Sequence, residues 1–311
     1  MATVIQSNNV YVGTKSLPNI IDSITSTSAK TEYLKKLLAS ANLDSTYITD
    51  VNSDAIFNTL KLHRTRVISD GGIVLSLANT LKAIVFGVKN SLTPEIYSAY
   101  SPDFGLKLNG SSVIKVYDLN KRDYELLTGS LERSTDSNLN VIKNLTTSTM
   151  ISKNNSIAGG TGMILGACVH DADIAASSSL TVRGMYMSEN AAATGTGLGY
   201  LETNYGGQAR VYYKRAADDV MTNLPYDQSV NYKKFAGLVG YLSNSNNRVE
   251  IYENGVIKAG ATAPQKDIST SSIYPTMTML SLNSLFSESW IIKSTSQSLA
   301  IALSNYLNKS T

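Results

Sequence analysis

The run Val249-Glu250-Ile251-Tyr252-Glu253-Asn254-Gly255-Val256-Ile257-Lys258 decides the fold. Apolar and polar residues alternate up to Asn254-Gly255, and β-branched or aromatic residues flank that pair. Asn-Gly accepts the positive φ angles of a type I′ turn with little strain. The stretch is read as a β-hairpin, and a hairpin this clear asks for neighbouring strands on both sides of it.

Those neighbours are found by working outward. Upstream lie Ala236–Leu242, Ala209–Lys214, Leu180–Met187 and Met163–Val169, and downstream lie Thr276–Leu282 and Trp290–Lys293. Arg248–Tyr252 and Val256–Lys258 are the arms of the hairpin itself. Gly, Asn, Ser or Asp clusters bound most of these runs. Farther upstream, Phe104, Leu106 and Leu108 alternate with Gly105 and Lys107, and Val113-Ile114-Lys115-Val116-Tyr117 follows a Gly110-Ser111-Ser112 turn. From Phe104 onward the hydrophobic period falls from about 3.6 to about 2, and many short strands at this spacing predict a sandwich or barrel. After Ser294 as cap, Leu299, Leu303, Tyr306 and Leu307 form the stripe of a closing amphipathic helix.

The N-terminal third reads differently. Residues 1 to about 30 hold only the apolar pairs Val4-Ile5, Val10-Tyr11 and Ile20-Ile21, and are broken by Pro18. They read as an extended arm or as a disordered tail. Thr31–Ala41 predicts a helix with Leu34, Leu37 and Leu38 on one face. A second helix begins after Asp50 or Ser53, with Ile56, Phe57 and Leu60 inward. A third runs from Ile73 to Lys89. The expected division is residues 1–95 as arm and helical anchor, and 96–311 as sandwich with its closing helix.

Composition narrows the function. Apolar residues make up 42% of the 311, enough for a core, while charged residues are only 16%. Ser, Thr and Asn supply the polar surface, which suits packing against neighbours without accumulated repulsion. The net charge of +3 is spread in blocks no longer than two, such as Lys35-Lys36 and Lys233-Lys234, so no nucleic-acid footprint is expected. Cys168 is the single cysteine, which excludes an internal disulfide, and its apolar surroundings predict a buried thiol. The start Met1-Ala2-Thr3-Val4-Ile5-Gln6 has no signal-peptide pattern, and the apolar runs are too short to span a bilayer. Synthesis in a cytoplasm without membrane insertion is therefore expected.

The motifs of common chemistry are missing. His63 and His170 lack motif-level partners, and no zinc spacing or nucleophile elbow occurs. Gly159-Gly160-Thr161-Gly162 precedes a strand, whereas a phosphate loop follows one, and Gly195-Thr196-Gly197-Leu198-Gly199 shares that defect. Glu250 and Glu253, three apart in a strand, face opposite sheet surfaces. Glu202, Glu288 and Asp218-Asp219 have no partner by spacing, and Asp171 with Asp173 is too little for a calcium loop. No catalytic residue, cofactor or metal is expected. Of the 18 tyrosines, Tyr186, Tyr200, Tyr205, Tyr212 and Tyr213 are the candidates for glycan or partner contact, with half-buried core packing as the competing reading.

From Phe104 to the end the chain resembles the concanavalin A-like (laminin-G-like) jelly-roll domains of bacteriophage virion proteins. Four pieces carry the resemblance: a helix followed by Gly105-Leu106 and Val116-Tyr117-Asp118-Leu119, the hairpin Arg248–Val256, the strand Ser289-Trp290-Ile291-Ile292, and the helix Ser296–Leu307. It implies an antiparallel jelly-roll β-sandwich and a non-enzymatic virion structural protein: a capsid decoration, head or neck fibre, or tail appendage subunit. Residues 1–95 would attach to capsid, portal, neck or tail proteins or to sister chains, forming a homo-oligomer such as a trimer, assembled in the host cytoplasm. The alternative is a carbohydrate-binding module for a host surface glycan. The Glu-x-Asp-x-x-Glu strand of the family's glycosidase branch is absent, which speaks against hydrolysis.

Overall fold

The computed structural model describes residues 20–152, 155–170, 182–188, 197–205, 208–227, 235–280 and 282–309. The described residues form two compact units, 20–93 with 102–107 and 94–101 with those from 108 to 309.

The first unit is helical. After a short turn α1 (Ile20–Ser23) come α2 (Thr27–Ala39), α3 (Asp50–Ser69) and α4 (Leu77–Lys89). The Ser26 hydroxyl accepts from Ala29 N, so α2 starts earlier than the expected Thr31, inside a polar run that carries no hydrophobic period. Ser76 caps α4 by accepting from Asn79 N, which moves that helix start from Ile73 to Leu77. Ile73 instead exchanges backbone hydrogen bonds with Leu106 at 2.8 and 2.9 Å. The helix begun at Asp50 runs for 20 residues, and His63 lies within it. Leu34, Leu38, Ile56, Phe57, Leu60, Leu81 and Ile84 form the core, and Tyr33 meets Phe57 edge to face at 5.8 Å. Phe104 and Leu106 are buried and belong to this unit, where the Phe104 carbonyl is 2.8 Å from His63 Nε2.

The second unit is an antiparallel β-sandwich, mainly β as the alternation predicts. One layer runs β1 (Tyr97–Tyr100), β18 (Leu285–Lys293), β9 (Gly162–His170), β14 (Leu238–Ser243), β15 (Arg248–Glu253) and β16 (Val256–Thr262). The other runs β13 (Met221–Asp227), β12 (Gln208–Lys214), β11 (Gly199–Tyr205), β10 (Val182–Ser188), β17 (Ser272–Met279), β7 (Ser148–Ile151), β4 (Tyr124–Thr128) and β3 (Ser112–Val116). The hairpin β5 (Leu131–Asp136) and β6 (Leu139–Asn144) joins the layers, since β5 pairs with β3 and β6 with the start of β18. The short strand β8 (Ile157–Ala158) pairs with β17, and β2 (Leu106–Asn109) begins within the helical unit, whose last residue is 107.

The inner faces of the two layers interleave Met163, Leu165, Leu238, Leu242, Val249, Ile251 and Ile291 with Met187, Leu201, Ala209, Val211 and Ile273. Burying each of these side chains other than Ala209 stabilises the fold by about 1.5–3 kcal/mol. The layers meet closely at Gly240, where a Cβ would sit 2.1 Å from Val211 Cγ2. The hairpin turn is as predicted: Asn254 has φ 50 and Gly255 φ 79. The last helix, α5 (Gln297–Leu307), is capped by Ser296 and not by Ser294, and packs on the outer face of β9, β14 and β15.

Among the described residues β16 is an edge strand, and it carries its own protection. A bulge between Ile251 and Tyr252 leaves Lys258 without a partner in the ladder, and its ammonium turns toward the Tyr226 ring (5.8 Å) and Glu253 (3.8 Å). An inward charge and a bulge both discourage edge-to-edge pairing.

Candidate functional site

The register of β11, β12 and β13 builds the candidate face. Gly199 pairs with Tyr213, Tyr200 with Tyr212, Leu201 with Val211 and Glu202 with Arg210. Strand alternation then sends Leu201, Ala209, Val211 and Tyr213 into the core and Tyr200, Glu202, Gln208, Arg210 and Tyr212 to the opposite side. Across the next ladder, Asn223 pairs with Tyr212, Pro225 with Arg210 and Asp227 with Gln208. This face is graded: Asn223, Pro225 and Asp227 are exposed, Gln208, Arg210 and Tyr212 half-buried, and Tyr200 and Glu202 buried.

Two features fix its geometry. The rings of Tyr200 and Tyr212 stack with centroids 4.1 Å apart and planes 16° apart. The Arg210 guanidinium donates to Gln208 Oε1 through Nε (3.2 Å) and Nη2 (3.0 Å), and through Nη1 to the Tyr212 hydroxyl at 3.4 Å. Its Nη1 also lies 4.0 Å from the carboxylate of Glu202, a residue only 2% exposed. The result is an aromatic pair beside a planar, oriented cation, with amide and carboxylate groups around it. Such a set can stack on an apolar ring face and hydrogen-bond hydroxyls.

Of the five candidate tyrosines, Tyr200 and Tyr212 come together here. Tyr213 is their neighbour in sequence but faces the core, where burial pushes its hydroxyl pKa up. The side chains of Tyr186 and Tyr205 lie outside the described residues, although the backbone of Tyr186 pairs with that of Tyr200. Arg210, Gln208 and Asn223 were missed by the sequence reading. The alternation Gln208-Ala209-Arg210-Val211-Tyr212-Tyr213 carried the signal, because it separates an inner set from an outer one.

The buried carboxylates elsewhere are held by fixed donors. Glu250 accepts from Arg248 Nε (3.0 Å), from Gln297 of α5 (2.9 Å) and from the Tyr252 hydroxyl, whose own pKa is driven up by burial and by that carboxylate. Glu253 accepts from Tyr226 on the inner side at 2.9 Å, so Glu250 and Glu253 do face opposite surfaces. Glu288 accepts from Trp290 Nε1 (2.7 Å) and Lys309 (2.9 Å). Through Ile292, Ile164 and Tyr241 the ladders place Glu250 four residues along from Glu288. Their α-carbons are thus offset by about 13 Å along the strands and by three strand spacings of about 4.8 Å across them. The roughly 5–10 Å between the carboxyls of a glycoside-cleaving pair would require both side chains to reach toward each other.

His170 lies 3.8 Å from Asp136 and packs on Phe235, Cys168 is buried, and Asp171 and Asp173 fall outside the described residues. The segment Gly159–Gly162 leads directly into β9, and Gly195 and Thr196 lie outside the described residues. Among the described residues no three His, Cys, Asp or Glu side chains are grouped as for a metal, and no helix is long and apolar enough to cross a membrane.

No protein-family pattern matches the chain, and no curated protein matches it. Solved structures do. A mutant of HCR/D aligns at a TM-score of 0.50 and 14% identity, over 69% of this chain and 53% of that one. The botulinum neurotoxin serotype D ligand-binding domain in complex with N-acetylneuraminic acid gives 0.48 and 12%, over 68% and 50%. The botulinum neurotoxin serotype G binding domain gives 0.46 and 10%, over 68% and 50%. The chain spans about half the length of each of these. At 14% identity the likeness at a TM-score of 0.50 is one of fold alone.

Proposed function

We propose that this chain is a non-enzymatic binding module whose sandwich recognises a glycan on the outer face of β11–β13. One observation carries this reading: the Tyr200–Tyr212 stack set beside the oriented Arg210 guanidinium, with Gln208 and Asn223 around it. Sugars present apolar ring faces and outward hydroxyls, and aromatic faces with planar donors match both. The separation of Glu250 from Glu288, both beneath fixed donors, supports binding over hydrolysis. A glycan array probed with the full chain, followed by calorimetry on Tyr212→Ala and Arg210→Ala, tests it. Each variant should weaken binding about tenfold or more, on the scale of one lost stacking or charge-assisted contact. An array without hits, or variants that bind as the parent does, would overturn it.

A second reading concerns assembly. In it the chain is a virion structural subunit, with a concanavalin A-like jelly roll as the finer fold and the helical unit as the anchor. The outward face of α3 favours it, since Val51 and Leu62 are 96% and 70% exposed. Antibody labelling of purified particles tests it, and particles without label would remove it.

A further inference from the structure

We propose that the outward face of α3 pairs with the same face of a second copy of this chain, antiparallel and about a twofold axis. This deepens the assembly reading and rests on it. Val51, Ala55, Asn58, Leu62, Thr65 and Ser69 are all exposed. Their steps of four and three alternate without a break, which is the a/d spacing of a helix–helix seam. None carries a charge, and Val51 and Leu62 are the two most exposed large apolar residues among those described. The opposite side of the same helix already supplies Ile56, Phe57, Leu60 and Val67 to the core. A helix that served one core alone would present polar residues outward.

Charge selects the second copy and its direction. The first turns of α3 hold Asp50 and Asp54, and its second half holds Lys61, Arg64 and Arg66. Parallel copies would set like charges together, whereas antiparallel copies set acidic ends against basic ends twice, as a twofold axis requires. The register that places Val51 on the partner's Leu62 also brings Asp54 alongside the partner's Lys61. The local ion pairs of these residues, Asp54 with Lys30 at 2.7 Å and Lys61 with Asp22 at 3.2 Å, can persist beside them. The charges thus set direction more than affinity. A helix of about 30 Å pairing alone buries less than the roughly 1,200 Å² of a stable interface, so the association is weak and concentration-dependent. The symmetry is twofold, not the threefold of a trimer.

Sedimentation of the full chain over a wide concentration range should show a monomer–dimer equilibrium, and Leu62→Asp should weaken it about tenfold or more. Direction is read by cross-linking, since the native Cys168 is buried. The double variant Val51→Cys with Leu62→Cys should give a disulfide-linked dimer under mild oxidation. Leu62→Cys alone should not, because its two copies would stand about 16 Å apart along the helices. A monomer at every concentration, a folded Leu62→Asp that associates as the parent does, or self-linking of Leu62→Cys would each overturn the proposal. Particle labelling and glycan binding are separate readouts, so their failure and this one are told apart.

Discussion

The helical unit and the sandwich each bury an ionisable side chain, and they hold it in opposite ways. His63 sits among helices whose backbone groups already bond one another, with the Phe104 carbonyl 2.8 Å from Nε2. Burial pushes its pKa down to about 4, so the ring stays neutral. Asp118 sits where a strand meets a loop, and its carboxylate accepts from Ala99 N at 2.7 Å and Arg122 N at 2.9 Å. Burial nevertheless pushes its pKa up to about 6. The lesson concerns backbone supply. A helix satisfies its own amides, while a sandwich corner leaves amides that a side-chain acceptor must meet. The sandwich accordingly buries more connected polar groups, such as Glu288 with Trp290 and Lys309 and Glu250 with Arg248, Tyr252 and Gln297.

The largest effect expected from this difference is at Trp290. Its ring stacks on Tyr97 at 5.5 Å and meets Tyr306 edge to face at 5.6 Å, and its Nε1 donates to Glu288. Trp290→Ala should cost about 3–5 kcal/mol through the cavity, and stripping a donor from the buried Glu288 adds to that. Leu60→Ala in the helical core should cost about 2–5 kcal/mol and strands no polar group. Hydrogen exchange at β9 and β18 reads the first and at α3 the second. A Trp290→Ala cost no greater than that of Leu60→Ala would break the contrast.

The pH response sharpens it next. His63 has a folded pKa below its ordinary 6.5, so its contribution is full above that value and is lost as pH falls toward 4. Asp118 has a folded pKa above its ordinary 3.8, so its contribution is full below that value and is lost as pH rises through 6. Each is on the order of 3 kcal/mol, from shifts of roughly two to two and a half units. Between pH 4 and 6 the helical unit should gain stability with rising pH while the Asp118 region loses it. Exchange rates corrected for intrinsic pH dependence would show opposite slopes at α3 and at Ala99 and Arg122. His63→Gln should flatten the first slope and Asp118→Asn the second. Slopes of one sign in both units would sink the comparison.

Legibility in the sequence also differed between the units and within the sandwich. Where one face is buried and the other is more open, alternation showed the strand, as in β12. The strands from 124 to 158 escaped. β5 reads Leu131-Glu132-Arg133-Ser134-Thr135-Asp136 and buries only its first residue, so burial wrote no rhythm into it. β17 contains Pro275, which argues against an inner strand from sequence alone. The structure tolerates it because β7 ends at Ile151, opposite Thr276, and β8 takes up pairing only at Ile273. The length of α3 was hidden by its second apolar face, which blurs a one-sided helical period. At the candidate site, the tyrosines were visible but their faces were not, because Tyr212 and Tyr213 differ only in register. Glu202 seemed partnerless by spacing, and its neighbour Arg210 is supplied by strand pairing.

The smallest effect is expected at the turn from which the fold was read. Gly255 has φ 79, and a Cβ there would lie 2.1 Å from the Asn305 amide of α5. The backbone strain alone costs about 1 kcal/mol, while the Asn305 side chain can swing aside. Gly255→Ala should therefore destabilise the sandwich modestly, and Gly255→Ala with Asn305→Ala should recover only the part due to contact. Gly237→Ala is the sharper partner for this test, because its Cβ would sit 2.0 Å from the Ser304 backbone carbonyl, which cannot rotate away. Chemical denaturation of the three variants separates the cases. Were Gly255→Ala to cost as much as Gly237→Ala, backbone strain at Asn254-Gly255 would carry more of the hairpin than a permissive turn should.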